Sequence, residues 1–312
     1  MSKFADGEKI RKIDFAGPVK ICGILNVTPD SFSDGGLVNT IDEAVAKSLA
    51  LIKDGAGIID IGGESTRPGY TPVTQEEEIR RVVPAVSALR GKTNVPISVD
   101  TTKSQVALEA IRAGADIIND VSGMLADPDM LRAAAASGCY CVINHNVNYV
   151  NSLRKKNALT LTGAELCNDD IDYVNRNSLP WEASSKEERE YALQVRDELL
   201  QLAKRAEDAG ISKDKIILDP GVGFKGSIKR DYAILGSLSH FTQCGYPVML
   251  GVSRKSCLAA CFGEDIYARD EATAMVSAMA VRQNVAILRV HNVKKNAEAT
   301  EAFVRSCQEM EK

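Results

Sequence analysis

The sequence predicts an α/β fold, a (β/α)8 TIM barrel with a long insertion after the fifth strand. Short apolar runs rich in β-branched residues alternate eight times with longer segments of helical period along the 312 residues. Strands that alternate with helices form parallel sheets, and eight such units match a closed barrel better than an open doubly wound sheet. No G-x-G-x-x-G opens a helix after the first apolar run, which disfavours a dinucleotide-binding sheet.

Each predicted strand is a short apolar run that stops at polar residues or glycine. The eight runs are 19–25, 57–61, 95–100, 116–119, 140–145, 215–219, 247–251 and 286–291. The predicted helices have apolar residues three and four positions apart, and they occupy about 41–54, 75–91, 103–113, 127–137, 186–209, 230–238, 268–283 and 294–310. Three of these helices stop beside a glycine of the kind that commonly ends a helix, at Gly55, Gly114 and Gly210.

Residues 146–185 interrupt this alternation. The segment is polar, rich in Asn, and contains Trp181, the only tryptophan of the chain. A connection of this length is too long for an ordinary loop. We therefore expect 1–312 to form a single domain, in which 146–185 is an inserted loop or subdomain.

The composition is typical of a soluble globular protein, with 45% hydrophobic and 26% charged residues. The 38 Lys and Arg residues against 42 Asp and Glu leave a formal charge of −4, so the chain has no cationic excess for nucleic-acid binding. The apolar stretches are far shorter than the roughly 20 residues that span a membrane. The polar segment 1–12 lacks the apolar core of a secretory signal, which predicts a cytoplasmic location.

The eight cysteines and three histidines do not indicate a disulfide framework or a structural zinc site. Their spacings match neither pattern, and a chain of this length buries a core without such supports. We expect most of the cysteines to be reduced core residues.

A polar or charged side chain follows every predicted strand. These residues are Asn26, Glu64 to Arg67, Asp100, Asn119, His145, Asp219, Ser253 to Lys255, and Arg289 with His291. Any one of them is explained by capping of the next helix. All eight positions together, at the carboxyl end of a barrel where active sites of this fold lie, predict a ligand site.

The cationic members of this set predict a phosphate-bearing ligand. They are Arg67, Arg254, Lys255, Arg289 and His291. Arg289 and His291 lie two residues apart, on one face of a buried strand. A buried Arg without a partner is costly, so an anionic ligand is the natural explanation.

The remaining polar residues predict a heterocycle and a divalent cation. Asp100, Asn119 and Asp219 supply acceptors and donors for the N–H groups of a nitrogen-rich ring. The amide oxygen of Asn26 suits Mg²⁺, which takes few protein ligands and fills its shell with phosphate and water. The residue types thus indicate a heterocycle joined to a phosphate or diphosphate.

Two long motifs carry a resemblance to a known family. They are Gly23-Ile-Leu-Asn-Val-Thr-Pro-Asp-Ser-Phe-Ser-Asp-Gly-Gly36 and Asp60-Ile-Gly-Gly-Glu-Ser-Thr-Arg-Pro-Gly69. Five shorter motifs follow in the same order as in that family, namely Ser98 to Thr101, Ile118 to Val121, Asp219 to Phe224, Ser253 to Ser256, and Arg289 to His291. The chain resembles the dihydropteroate synthase family over about 19–145 and 211–305.

This resemblance implies a transferase of folate biosynthesis. The family folds as a TIM barrel and joins (7,8-dihydropterin-6-yl)methyl diphosphate to p-aminobenzoate, giving dihydropteroate and diphosphate. Carried over by motif, the pterin ligands are Asp100, Asn119, Asp219 and Lys255. The diphosphate ligands are Asn26, Thr66, Arg289 and His291, with Mg²⁺ held by Asn26. The p-aminobenzoate site comprises Phe32, Thr66, Pro68, Phe224 and Ser256, and the catalytic residues are Asp100, Lys255 and Arg67. The family also implies a homodimer.

Two alternatives stay open at this point. A diverged paralogue that binds a pterin without this chemistry is suggested by the long insertion after His145 and by Gly223-Phe-Lys-Gly226, where the family usually has Gly-Phe-Gly-Lys. A pterin-binding domain of a corrinoid methyltransferase shares the barrel and the heterocycle site. Such a domain needs neither the two motif-bearing loops nor Arg289 and His291, and their presence favours the synthase.

Overall fold

The computed structural model describes residues 10–27, 40–64, 72–155, 185–224, 227–263 and 265–310. It contains eight parallel strands: β1 (Lys20–Asn26), β2 (Ile58–Gly62), β3 (Ile97–Asp100), β4 (Ile117–Asp120), β5 (Tyr140–Asn144), β6 (Ile216–Asp219), β7 (Met249–Leu250) and β8 (Ile287–Val290). They are hydrogen-bonded in the order β6-β5-β4-β3-β2-β1-β8-β7. A parallel bridge between Leu218 and Val248 joins the two ends of this sheet. The predicted (β/α)8 barrel is confirmed.

Eleven α-helices lie among the described residues. They are α1 (Ile41–Lys53), α2 (Gln75–Arg90), α3 (Ser104–Arg112), α4 (Met130–Ser137), α5 (Val147–Lys155), α6 (Lys186–Asp208), α7 (Ile228–Leu235), α8 (Leu238–Thr242), α9 (Ser256–Phe262), α10 (Ile266–Arg282) and α11 (Val293–Met310). The eight predicted helices are confirmed, and α1, α3 and α6 end two residues before Gly55, Gly114 and Gly210. Three helices were not predicted: α5 falls in the segment interpreted as an insertion, and α8 and α9, of five and seven residues, are too short to show a clear helical period.

The apolar strand residues form two layers because side chains alternate between the two faces of each strand. One layer packs inside the barrel and consists of Cys22, Ile58, Ile117, Tyr140, Val142, Ile217, Met249 and Ile287. Ile13 and Phe15 of the N-terminal segment pack against this layer. The other layer packs against the helices. Ile13 donates its backbone N–H to the Tyr140 hydroxyl over 3.1 Å, so the N-terminal segment closes the amino end of the barrel.

The same alternation determines which polar residues enter the barrel at its carboxyl end. Two positions after Ile58, Ile117, Ile217 and Ile287 come Asp60, Asn119, Asp219 and Arg289. These four side chains therefore share the inward face with the apolar plug below them. The fold thus places these four polar side chains at the carboxyl end of the barrel, directly above the apolar residues that fill its interior.

Three further findings bear on the sequence predictions. In the part of the chain that is described, no helix has both the length and the apolar character required to span a bilayer. Cys22, Cys139, Cys141 and Cys257 are buried free thiols, as expected of core residues. Of the predicted insertion 146–185, residues 147–155 form α5, and 156–184 lie outside the described residues.

Candidate active site

Four polar side chains from four strands meet inside the barrel at its carboxyl end. Arg289 of β8 donates from Nε to Asp60 Oδ2 of β2 and from Nη2 to Asp100 Oδ2 of β3, each over 2.6 Å. Asn119 of β4 donates from Nδ2 to Asp60 Oδ2 over 3.1 Å. Two carboxylates, one guanidinium and one amide thus form a single hydrogen-bonded cluster, which we call the central cluster.

The charges of the central cluster are strongly coupled. Burial raises the pKa of Asp100 to about 7, with Asp60 adding to the rise and Arg289 opposing it. Burial alone lowers the pKa of Arg289, but the carboxylates of Asp60 and Asp100 outweigh it and raise that pKa above its ordinary value. Near neutral pH, Asp100 is therefore poised between its protonated and ionised forms, while Arg289 stays charged.

Asp60 is a member of this cluster that the sequence analysis did not select. Its side chain is buried, and Oδ1 has no hydrogen-bond partner among the described residues. A buried carboxylate oxygen without a partner is costly, so it is suited to accept an N–H group from a ligand. The available signal was an Asp in the middle of the otherwise apolar run Ile58-Ile-Asp-Ile61.

A second group of side chains lies where β6 and β7 end. Asp219 Oδ1 accepts the backbone N–H of Gly221 over 2.7 Å. Lys255 donates from Nζ to the carbonyl of Val222, and its Nζ lies 4.3 Å from the centre of the Phe224 ring. Burial lowers the pKa of Lys255, and the nearby Asp219 opposes this shift. The loop after β6 thus holds the Lys255 ammonium between a carbonyl and an aromatic face.

Glycine at position 223 makes room for Lys255. Its φ is +85°, and a Cβ built there would lie 2.3 Å from Lys255 Cδ. Any side chain at this position would displace the lysine, and the left-handed backbone also disfavours non-glycine residues.

His291 is held by the turn that follows β7. Its backbone N–H donates to Ser253 Oγ over 3.1 Å, and the same oxygen lies 3.0 Å from His291 Nδ1. Arg254, the next residue of that turn, makes two hydrogen bonds to Asp270 of α10, at 2.7 and 2.9 Å. Arg254, which its charge had grouped with the phosphate ligands, therefore pairs with a carboxylate of the protein.

Arg289, predicted to be a buried Arg without a protein partner, has two carboxylate partners in the structure. That prediction was wrong. The reason is tertiary: Asp60 and Asp100 are 229 and 189 residues away in sequence. Because its guanidinium is already neutralised on one side, a diphosphate at Arg289 must share it with these carboxylates.

Asn26 lies at the same end of the barrel as the central cluster. Its Oδ1 is 3.6 Å from the point that a Cβ at Gly62 would occupy, and Asp100 Cβ is 3.5 Å from that point. The missing side chain of Gly62 therefore leaves space between Asn26 and Asp100. Ser256 begins α9 and is exposed.

Four predicted site residues are not described, and one predicted rim residue faces away from the barrel interior. Phe32, Thr66, Arg67 and Pro68 lie outside the described residues. His145 follows β5 but faces the helices: its Nε2 is 2.5 Å from Glu198 Oε2 of α6, and both side chains are buried. Since Tyr140 and Val142 point into the barrel, alternation turns His145 outward, so its place among the rim residues was wrong.

Comparison with known proteins identifies the relatives of this chain. The family model described as pterin binding enzyme matches residues 22–291. The dihydropteroate synthase of Streptococcus pyogenes is 40% identical over 93% of this chain and 96% of its own length. A dihydropteroate synthase structure from Xanthomonas albilineans with 4-aminobenzoic acid has a TM-score of 0.75 and 33% identity, covering 93% of both chains. A second, with 7,8-dihydropteroate, has a TM-score of 0.74 and 30% identity, covering 94% of this chain and 95% of the other. The chain belongs to the pterin binding enzyme family and, within it, to the dihydropteroate synthases.

Proposed function

We propose that this protein joins (7,8-dihydropterin-6-yl)methyl diphosphate to p-aminobenzoate, forming dihydropteroate and releasing diphosphate. The central cluster carries this proposal, because a barrel 40% identical to a dihydropteroate synthase places two carboxylates, an amide and a guanidinium in its mouth. The reaction breaks the C–O bond between the pterin methylene and diphosphate and forms a C–N bond. The aniline nitrogen then loses one proton.

The pterin would be held by Asp100, Asn119, Asp219 and Lys255. A pterin presents N–H donors along its amino-pyrimidinone edge and acceptors at its ring nitrogens and carbonyl, and these residues offer the complementary groups. Oδ1 of Asp60, which has no hydrogen-bond partner in the part of the chain that is described, adds one more buried acceptor beside them. Because Asp100 is ionised only above about pH 7 in the free protein, binding a pterin N–H group would favour its charged form.

The diphosphate would contact Arg289 on β8 and His291 directly after β8, together with Thr66. Leaving-group charge that develops as the C–O bond breaks would then meet two preorganised donors. The donor set also fits Mg²⁺: Asn26 supplies a hard amide oxygen beside the space left by Gly62. When bound, Mg²⁺ would neutralise part of the diphosphate charge, with Asn26 as its protein ligand.

The p-aminobenzoate would lie near Phe224 and Ser256, with Phe32, Thr66 and Pro68 completing its site. The Phe224 ring is held against Lys255 in the loop after β6, so pterin and p-aminobenzoate sites would share this lysine. Loss of diphosphate leaves a cation delocalised into the pterin ring, which the Asp100 carboxylate would stabilise. Attack by the aniline nitrogen then depends on positioning more than on a strong base, with Arg67 as the remaining catalytic residue.

We further propose that the protein is a homodimer. On α10, Tyr267 and Met275 expose 76% and 50% of their surface, and both are apolar or amphipathic side chains eight residues apart on one helix face. A second copy of the chain would cover them. A cytoplasmic location stays a prediction.

The experiment that tests the proposed function is release of diphosphate by the purified protein with dihydropterin-methyl diphosphate and Mg²⁺, with and without p-aminobenzoate. Release that depends on p-aminobenzoate, with dihydropteroate formed in equal amount, is the expected result. Pterin binding without any release would contradict the proposal and favour the diverged paralogue.

A further inference from the structure

The turn after β7 contains a residue in an unfavourable backbone conformation. Arg254 has a φ of +60°, and among the described residues only Met124 and Asn284 share a positive φ without being glycine. A long side chain in this region is disfavoured by contact of its Cβ with the following carbonyl. Such a conformation persists only where surrounding contacts maintain it.

Three residues of α10 supply those contacts: Asp270 binds the Arg254 side chain, Thr273 accepts its backbone N–H, and Arg269 donates from Nη1 to its carbonyl over 3.3 Å. The two carboxylate oxygens of Asp270 accept from Nε and Nη2 of Arg254, and the Arg254 backbone N–H donates to Thr273 Oγ1 over 3.3 Å. Asn292 also donates to Asp270, from Nδ2 to Oδ2 over 3.1 Å. Burial alone raises the pKa of Asp270, but the hydrogen bonds from Arg254 and Asn292 outweigh it and lower that pKa. The carboxylate is therefore charged near neutral pH and holds three donors.

The two neighbours of Arg254 both enter the proposed site. Ser253 binds His291 through its hydroxyl, and Lys255 lies against Val222 and Phe224. A shift in the backbone of Arg254 therefore moves two residues at once. One is Ser253, the hydrogen-bond partner of the proposed diphosphate ligand His291, and the other is Lys255, a proposed pterin ligand.

We propose that Asp270 is a positioning residue for the transfer reaction. Through its paired hydrogen bonds to Arg254 it fixes the turn after β7, and the turn sets Ser253, His291 and Lys255 in place. The hydrogen bonds of the Asp270 side chain go to Arg254 and Asn292, neither of which the proposed function assigns to a substrate. This inference rests on the proposed function, because it assigns consequences to residues that the proposed function places at pterin and diphosphate.

The test compares Asp270→Asn with a matched control. Asp270→Asn keeps the side-chain shape but removes the charge, and we expect kcat/KM for the pterin diphosphate to fall about 10- to 100-fold, because small displacements of reacting groups are costly. Far-UV circular dichroism should not change. Glu271→Gln, the next residue of α10, removes an exposed acid that pairs with Lys295, and it should keep kcat/KM within about twofold.

An exchange variant tests the charge itself. Asp270→Asn combined with Asn292→Asp returns one carboxylate to the same contact, since these side chains lie 3.1 Å apart. We expect the double variant to recover most of the lost kcat/KM. A folded exchange variant as inactive as Asp270→Asn contradicts the proposal, as does Asp270→Asn with normal activity.

Arg254→Gly separates the side chain from the backbone. Glycine adopts a φ of +60° without strain but cannot bind Asp270. We expect this variant to lose as much activity as Asp270→Asn; full activity would show that the turn does not need the Arg254–Asp270 pair. If the unmodified protein forms no dihydropteroate, the proposed function fails, and the same variants are compared by their affinity for the pterin diphosphate. If Asp270→Asn then binds the pterin diphosphate as tightly as the unmodified protein does, the positioning role is overturned independently of the proposed function.

Discussion

Arg289 and Asp60 join β8 to β2 across the inside of the barrel, with Nε of the arginine 2.6 Å from Oδ2 of the aspartate. The strand between them, β1, contributes no side chain to this pair. The same guanidinium also reaches Asp100, so one cation holds two carboxylates that would otherwise repel each other. The position of Arg289 in the proposed diphosphate site therefore depends on Asp60, a residue to which the family motifs assigned no role.

Asp60→Asn is expected to weaken pterin binding without unfolding the barrel. The change removes one of the two carboxylates on Arg289 and replaces one acceptor oxygen by a donor, so affinity should fall by about 2 kcal/mol, or roughly 30-fold. Titration with the pterin diphosphate measures this. Asp42→Asn, an exposed position at the start of α1, is the control and should bind normally. Equal affinities for both variants would contradict a ligand-facing role for Asp60.

The rate of the reaction should depend on the ionisation of Asp100. Its pKa of about 7 in the free protein means that the ionised, acceptor form becomes dominant only as pH rises through 7. We expect kcat/KM to increase from pH 6 to 8 and then level off. A flat profile over this range would exclude Asp100 as the titrating group.

Asp100→Asn should abolish most of the transfer activity while leaving the fold intact. The amide cannot carry the charge that pairs with Arg289 and faces the pterin. The residual activity should also lose the rise between pH 6 and 8. Near-normal turnover in a folded Asp100→Asn protein would refute the assigned role.

Gly223→Ala is expected to reduce activity by displacing Lys255. The new methyl group would lie 2.3 Å from Lys255 Cδ, so the lysine must leave its contacts with Val222 and Phe224, and we expect kcat/KM to fall about 10- to 100-fold. Gly138→Ala is the matched control, because Gly138 also has a positive φ, +64°, but no described residue apart from its chain neighbours lies within 4 Å of its Cβ position. The control should lose about 1 kcal/mol of stability and no activity. Parallel losses of activity in both variants would point to backbone strain alone.

His145 and Glu198 should contribute to stability and not to substrate binding. They form a buried pair at 2.5 Å that ties the end of β5 to α6. His145→Ala leaves Glu198 buried without this partner, which should cost about 3 to 5 kcal/mol of unfolding free energy. Urea unfolding measures the loss, with the exposed Glu190→Gln on the same helix as control. A His145→Ala protein of normal stability but weakened pterin affinity would reverse the assignment.

Replacing 156–184 by a short Gly/Ser linker tests whether the insertion is a decoration of the barrel. All eight strands are paired among the described residues, and α6 begins with its own capping box between Ser185 and Glu188. We therefore expect a cooperatively folded protein with an unfolding temperature within a few degrees of the full chain. An unfolded product would show that the segment belongs to the core.

Much of the barrel was predictable because its signals are local. Runs such as Ile58-Ile-Asp-Ile61 and the helical periods between them depend only on neighbouring residues, as do the glycines that follow α1, α3 and α6. The polar residues at the strand ends were also predictable as a group, since parallel strands bring their carboxyl ends to one side. His145 shows where this reasoning stops: a shift of one residue along β5 turns a side chain from the barrel to the helices.

The order and type of the eight strands, the end of the barrel that carries the polar residues, and the family can all be read from the amino-acid sequence. The partners of the charged groups depend on the closed fold. Arg289 binds Asp60 and Asp100, and Arg254 binds Asp270, across separations of 229, 189 and 16 residues. Such pairs cannot be predicted from the type and spacing of charged residues in the sequence. An ion pair forms wherever the closed barrel and its helices bring two side chains within hydrogen-bond distance.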